Sequence, residues 1–339
     1  MIAVNLAASI SGVKVPAKMI VREKPNAFKL FFLLRGSVVP SIAPQIIFAG
    51  LMGFLVYLAD EYFPDQVPNL TATPFVLLGV TLSIFLGFRN SASYERWWEA
   101  RKLWGQLIID TRSIARQAQT YIWDQGGDVM SVDEKYSREQ EIKTHQRKIT
   151  LLCTGFSHAL RHQLRGTDCR DDVASFLSEY ERERLGAVRH IPNFFLNLLG
   201  GEISQILQKQ FIGEVSARNL EERITSLSSV LAACERIHNT PLPFAYNLLL
   251  NRTAYIYCFT LPLGLFTSLG AMTPLITALI AYTFFGLEAL GEELEDPFGT
   301  SAHDLALSTM SRTIEINLLE TLNEAELPEP IQADRYYFP

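Results

Sequence analysis

The sequence predicts an all-α membrane protein with four transmembrane helices and a large cytosolic helical domain. Two observations carry that prediction. The first is clumping: 48% of the 339 residues are apolar and 19% are charged, yet no Asp, Glu, Lys or Arg occurs in 37–59, 66–88 or 253–287. The second is length. A bilayer core needs roughly 20 mostly apolar residues per helical span. The first two stretches each hold one span and the third holds two joined by a tight turn. The pattern excludes disorder, collagen and a basic nucleic-acid binder, since the formal net charge is −6 and the pI about 5.6. The first apolar stretch starts too late, and lacks the small-residue site, for a cleaved signal peptide.

Residues 1–36 read as a cytosolic arm. Lys14, Lys18, Arg22, Lys24, Lys29 and Arg35 stand there against one acid, Glu23. The first span follows at 37–59. The 60–70 loop carries Asp60, Glu61 and Asp65 and no basic residue. The positive-inside rule therefore places that loop outside and both chain ends in the cytosol. The second span, 71–88, is followed by Arg89, Arg96, Arg101 and Lys102.

Two stripes run along the second span. Gly79, Ser83 and Gly87 recur every four residues, a small-residue face for close helix packing. Val80, Ile84 and Phe88 recur one position later as a bulky apolar face. Such a helix can ring an axis and present three stacked apolar constrictions, a dewetting gate. Periodicity alone leaves open that the second stripe faces lipid or core.

Residues 89–252 form a polar insertion read as helical. Gly126-Gly127 ends one helix, and Ser131 to Glu134 is a capping box that starts the next. Arg165-Gly166-Thr167 closes that helix. Helical segments are expected near 172–184 and over 216–238, the latter with Leu220, Ile224, Leu227, Val230 and Leu231 on its apolar face. The third and fourth spans occupy 253–290. Met272-Thr273-Pro274 makes their outer turn, and Pro262 with Gly264 marks a kink or break. The remaining 291–339 is cytosolic, with a helix over 302–323 and an extended tail after Pro328.

Four motifs carry a family resemblance: GFRNSASYERWWEAR (87–101), RHQLRGTD (161–168), CERIHNTPLPFAY (234–246) and EELEDPFGT (292–300). In order and spacing they resemble the bacterial bestrophin homologues, from about residue 19 to about 325. The resemblance implies a homopentameric ion channel of four-span subunits in the bacterial inner membrane, with lipid, identical subunits and monovalent ions as its partners. It places three neck rings at Val80, Ile84 and Phe88, and a cytosolic aperture at Val215 or Ile212. Arg89 and Asn90 mark the inner end of the neck, where Arg89 is expected to pair with a carboxylate of another subunit.

Glu292, Glu293, Glu295 and Asp296 could supply oxygens to a hard cation. Animal members hold calcium there with an unbroken acidic run, which Leu294 and Pro297 interrupt here. The acids are expected to pair with Arg or Lys instead, so no cofactor is assigned. Glu288, at the end of a span, is expected to face the cytosolic vestibule. Glu95 and Glu99 are set to form ladder pairs with Arg96 and Arg101. His158 and His162 have zinc-ligand spacing but no evident third ligand, and read as surface or interface histidines. Cys153, Cys169, Cys234 and Cys258 read as reduced thiols. There is no phosphate loop, no GxSxG and no oriented Cys–His pair, so the chain is not expected to be an enzyme. The sign of the permeant ion is read from vestibule charge. The acidic outer loop and the 292–296 acids point to cations, with an anion channel of the same family as the alternative. The rival from another class is a non-conducting scaffold or carrier.

Overall fold

The structure is a computed structural model and describes residues 19–20, 36–63, 66–68, 70–125, 131–332 and 337–338. The described residues are overwhelmingly helical. Among the described residues eleven α-helices run in order: α1 Val39–Tyr62, α2 Thr73–Tyr121, α3 Val132–Arg165, α4 Arg170–Ala174, α5 Glu179–Leu185, α6 Ile191–Gln208, α7 Glu214–Asn239, α8 Phe244–Thr260, α9 Pro262–Leu269, α10 Thr273–Glu295 and α11 Leu307–Thr321. Two short strands, β1 Met19–Ile20 and β2 Tyr337–Phe338, pair antiparallel with Met19 opposite Phe338. The chain divides into two units. One holds 36–107 and 228–297, the other 108–227 and 298–338 with β1.

Among the described residues three helical stretches are long and apolar enough to cross a membrane, Val39–Tyr62, Thr73–Tyr121 and Phe244–Glu295, and the apolar part of each lies in the first unit. Large apolar side chains on their outer faces are exposed, among them Ile47, Leu51, Leu77, Ile256, Leu275 and Leu279. With no water to satisfy backbone groups in lipid, helices are the form such stretches must take.

Within the unit, α1 packs mainly on α10 through small residues. A Cβ at Gly53 would stand 2.9 Å from the Pro274 Cα, and one at Gly50 3.5 Å from the Ala278 Cβ. Backbones approach this closely only where side chains are minimal. Around that seam Leu82, Leu86, Leu250, Tyr257, Phe284 and Phe285 form a buried core.

The expected break in the third apolar stretch is present. α8 ends at Thr260 and α9 opens on Pro262, which has no N–H to continue the ladder. Two residues on, a Cβ at Gly264 would fall 2.3 Å from the Phe75 ring. The reversal itself lies earlier than expected, at Gly270–Met272, because Gly270 takes a φ of +48°. Thr273 and Pro274 then already belong to α10.

In the second unit α3 is the central element, packed against α6 and α11. Its start is the anticipated capping box: the Glu134 N–H donates to Ser131 Oγ at 3.3 Å, and the Ser131 N–H to Glu134 Oε2 at 2.9 Å. Its end is Gly166, at φ 62°. The single segment expected near 172–184 is instead two helices, because Ser178 and Glu181 form a second capping box that starts α5 afresh. α11 begins at Leu307 rather than 302, since the Asp304 carboxylate accepts the Ser301 N–H and folds 301–304 into a turn. The apolar faces of α7 and α11 are buried as their spacing requires, with Leu220, Leu227, Ile314 and Leu318 fully enclosed.

All four cysteines are buried and free of disulfides. Burial pushes the Cys234 thiol up to about 12 and the Cys169 thiol up to about 11.

A buried ionic network ties α3, α5 and α6 together. Glu202, 1% exposed, meets His145 Nδ1 at 2.5 Å and Lys148 Nζ at 2.8 Å, and Lys148 also reaches Glu181 at 3.2 Å. Burial acts to raise the Glu202 carboxyl. The hydrogen bonds from His145 and Lys148 and the Lys148 charge outweigh it and hold the group below its ordinary 4.5. A lowered carboxyl stabilises the fold fully above that ordinary value, and the stabilisation is lost as pH falls through the lowered one. The contribution of Glu202 is therefore expected to be lost on acidification only below about pH 4.5, and Glu202→Gln to flatten that part of the acid limb. Thermal unfolding followed from pH 7 to pH 3 measures both, and an unchanged acid limb in the variant contradicts the assignment.

Candidate functional site

In α2 one face is packed and the other is bare. Gly79, Leu82, Leu86, Arg89 and Ser93 are buried, a run at helical spacing that sits against the unit's own core. On the opposite side Val80, Ile84 and Phe88 are 55%, 52% and 65% exposed. The bulky stripe is thus not core of its own chain.

The small-residue stripe is split rather than continuous. Gly79 is buried, and a Cβ there would meet the Tyr257 hydroxyl at 2.6 Å, so its close approach is to α8. Ser83 and Gly87 are exposed. The Ser83 hydroxyl donates to the Gly79 carbonyl at 2.7 Å, which satisfies it within the apolar helix. A Cβ on Gly87 would meet nothing within 4 Å.

Where the apolar run ends, Arg89 turns inward. It is 3% exposed and its Nη1 lies 3.4 Å from Glu288 Oε1, its Nη2 3.7 Å from Glu295 Oε2. The pairing expected between subunits is made inside the chain, because α10 brings two carboxylates one heptad apart onto the face that meets α2. Glu288 does not stand free in a vestibule: Asn251 Nδ2 also donates to it, at 2.8 Å. Glu295 accepts the Leu242 N–H at 3.0 Å and Asn247 Nδ2 at 3.1 Å. Gly291 permits the approach, since a Cβ there would fall 2.4 Å from Asn90 Oδ1.

Arg96 ties helix ends together instead of forming a ladder pair. Its Nε donates to the Glu295 carbonyl at 3.1 Å, and its two Nη groups to the Thr240 and Ile237 carbonyls at 2.5 and 2.6 Å. The Glu295 and Ile237 carbonyls lie in the last turns of α10 and α7 and the Thr240 carbonyl just beyond α7, where carbonyls lack helical partners and cations are favoured. Glu99 pairs with Arg236 of α7.

The remaining sequence candidates are dispersed. Asp60 and Glu61 end α1, and Asp65 lies outside the described residues. Glu292 and Asp296 are exposed. Among the described residues no group of three or more His, Cys, Asp or Glu is placed to hold a metal ion. Val215 is 76% exposed at the start of α7, whereas Ile212 is 2% exposed and belongs to the core beside Phe211. Ile212 is therefore removed as an aperture residue. His158 is not a surface histidine either: it is buried, stacks on Phe176 and faces Glu315 at 3.1 Å. His162 meets Asp172 at 2.9 Å and Thr167 at 2.7 Å.

Asn247, Asn251 and the role of Arg96 are absent from the sequence reading. The i, i+7 spacing of Glu288 and Glu295 on one helix was the available signal.

Comparison with known proteins agrees with this architecture. The chain matches the bacterial/fungal bestrophin family over residues 19–320. It is 43% identical over 320 residues to a voltage-dependent anion channel-forming protein of Mesorhizobium japonicum, covering 94% of this chain and 97% of that one. It is 37% identical over 319 residues to the voltage-dependent anion channel-forming protein YneE of Escherichia coli K12, covering 94% and 99%. The crystal structure of a bacterial bestrophin homologue from Klebsiella pneumoniae superposes with a TM-score of 0.75 at 36% identity, over 84% of this chain and 100% of that one. The chain, an integral membrane protein by its apolar helices, belongs to the bacterial and fungal bestrophin family.

Proposed function

We propose that this chain is the subunit of an anion channel whose conduction is controlled by wetting of an apolar neck. The observation that carries the reading is the exposed Val80–Ile84–Phe88 stripe on a helix whose opposite face is already packed. Bulky side chains left bare at one helical spacing suit a ring of identical helices around an axis, where they exclude water until the neck opens. Five copies, four crossings per copy, an inner-membrane location and both chain ends in the cytosol complete the proposal. Val215 is its aperture residue, and no cofactor takes part.

The cation preference expected from charge is replaced by the anion alternative. Part of that expectation rested on the Glu292–Asp296 cluster at the end of α10. Within that cluster Glu295 is engaged by Arg89, Asn247 and the Leu242 N–H, so it is spent inside the chain, while Glu292 and Asp296 stay exposed. The relatives named as anion channel-forming supply the positive support.

Purified protein in planar bilayers under a potassium chloride gradient tests the reading. Single-channel steps reversing near the chloride equilibrium potential are expected. Reversal near the potassium potential overturns the sign, and absence of steps overturns the channel. Native mass measurement tests the pentamer separately.

A further inference from the structure

The second unit contains a polar groove that the channel reading does not use. It has a volume of about 220 Å³ and is lined by Ser113, Arg116 and Gln117 of α2 with Asn219, Glu222 and Arg223 of α7. Each helix contributes residues at i, i+3 and i+4, which share one face of a helix. No apolar side chain lines the groove. Both helices bury apolar residues elsewhere, Ile114 and Ala118 on one and Leu220 and Ile224 on the other.

Three features give the groove a definite chemistry. Arg223 is braced from behind: its Nη1 lies 3.5 Å from Asp110, a fully buried carboxylate also held by the Ser226 hydroxyl at 2.6 Å. That pair is internally neutral, and Glu222 is likewise balanced by Arg218 at 3.5 Å. Arg116 has no ion pair among the described residues, so the groove keeps one positive charge in excess. Finally, Gln117 is 9% exposed and its side-chain oxygen has no hydrogen-bond partner among the described residues. A buried acceptor left without a donor is costly, by about 1–3 kcal/mol in general.

A ligand that meets all three features is an anion with its own hydrogen-bond donor. A guanidinium fork beside hydroxyl and amide donors is the arrangement that reads a carboxylate. The volume is larger than a single halide needs. We infer that this groove binds a small hydroxycarboxylate, its carboxylate on Arg116 with Ser113 and Asn219, and its hydroxyl donating to Gln117.

Saturation-transfer NMR on the detergent-solubilised full chain tests this, with lactate as the probe and acetate as the analogue lacking the hydroxyl. Lactate is expected to bind more tightly than acetate. Arg116→Gln is expected to weaken it about tenfold to hundredfold, the range of a charge-assisted hydrogen bond. Ser113→Ala, a milder change in the same groove, should weaken it less. Lys143→Gln, at an exposed pair elsewhere on α3, should leave binding intact. Equal binding of acetate and lactate overturns the assigned class. Absence of lactate transfer, or transfer that survives Arg116→Gln in a protein of wild-type helicity and unfolding temperature, overturns the site. The readout is binding and not current, so it stands or falls separately from conduction.

Discussion

Alanine at both Ile84 and Phe88 is expected to give a channel that is open far more of the time, with the fold intact. Both side chains are more than half exposed in the isolated subunit, so truncating them removes little packing and should leave the unfolding temperature near wild type. Their effect lies in the ring. An apolar constriction stays dry because water gains too little on entering it, and each truncated side chain widens it and removes apolar surface. Burying a large apolar side chain is worth about 1.5–3 kcal/mol, so in the proposed pentamer five truncated pairs would easily shift the wetting equilibrium by the 1.4 kcal/mol that corresponds to a tenfold population change. Leu78→Ala is the control. Leu78 is also exposed on α2, but at 100° per residue it points about 120° away from Ile84. Single-channel recording should show the double variant open at least about tenfold more than wild type and Leu78→Ala unchanged. Wild-type currents in the double variant would mean that the stripe faces lipid.

What the sequence disclosed about this site follows from the range of the interactions involved. The apolar stretches were legible because a bilayer imposes length and excludes charge, and both can be counted along the chain. The start of α3 was legible because the Ser131–Glu134 box closes within one helical turn. The Ser178–Glu181 box has the same spacing and is equally readable, and it marks where the 172–184 segment divides. The division of α2 into a packed and a bare face was only half legible. Spacing separated the two stripes, but what buries Gly79 is Tyr257, a residue of a distant helix that no local pattern announces. The same holds for Arg89, whose partner Glu288 lies 199 residues away. A charge reading that treats every acid near a mouth as free overstates the negative potential, because it cannot see which acids are already engaged. Part of the charge argument for cations rested on that assumption.

Removing Arg89 is expected to be the most destabilising single change at the site. Arg89→Met leaves Glu288 and Glu295, 13% and 16% exposed, without their shared cation. Breaking a buried pair from one side costs about 3–5 kcal/mol, since the remaining charge stays desolvated. Glu288→Gln should cost less. The amide oxygen can still accept from Asn251 and Arg89, and the guanidinium keeps Glu295. Combining the two tests whether they act as one unit. In the double variant the charge that Arg89→Met orphans at position 288 is gone, so the loss should fall short of the sum of the singles by about 1 kcal/mol or more. Apparent unfolding midpoints in one detergent for wild type, the two singles and the double complete the cycle. Strict additivity would mean that Arg89 and Glu288 stabilise the subunit independently, and would return Arg89 to the list of charges available at the inner end of the neck.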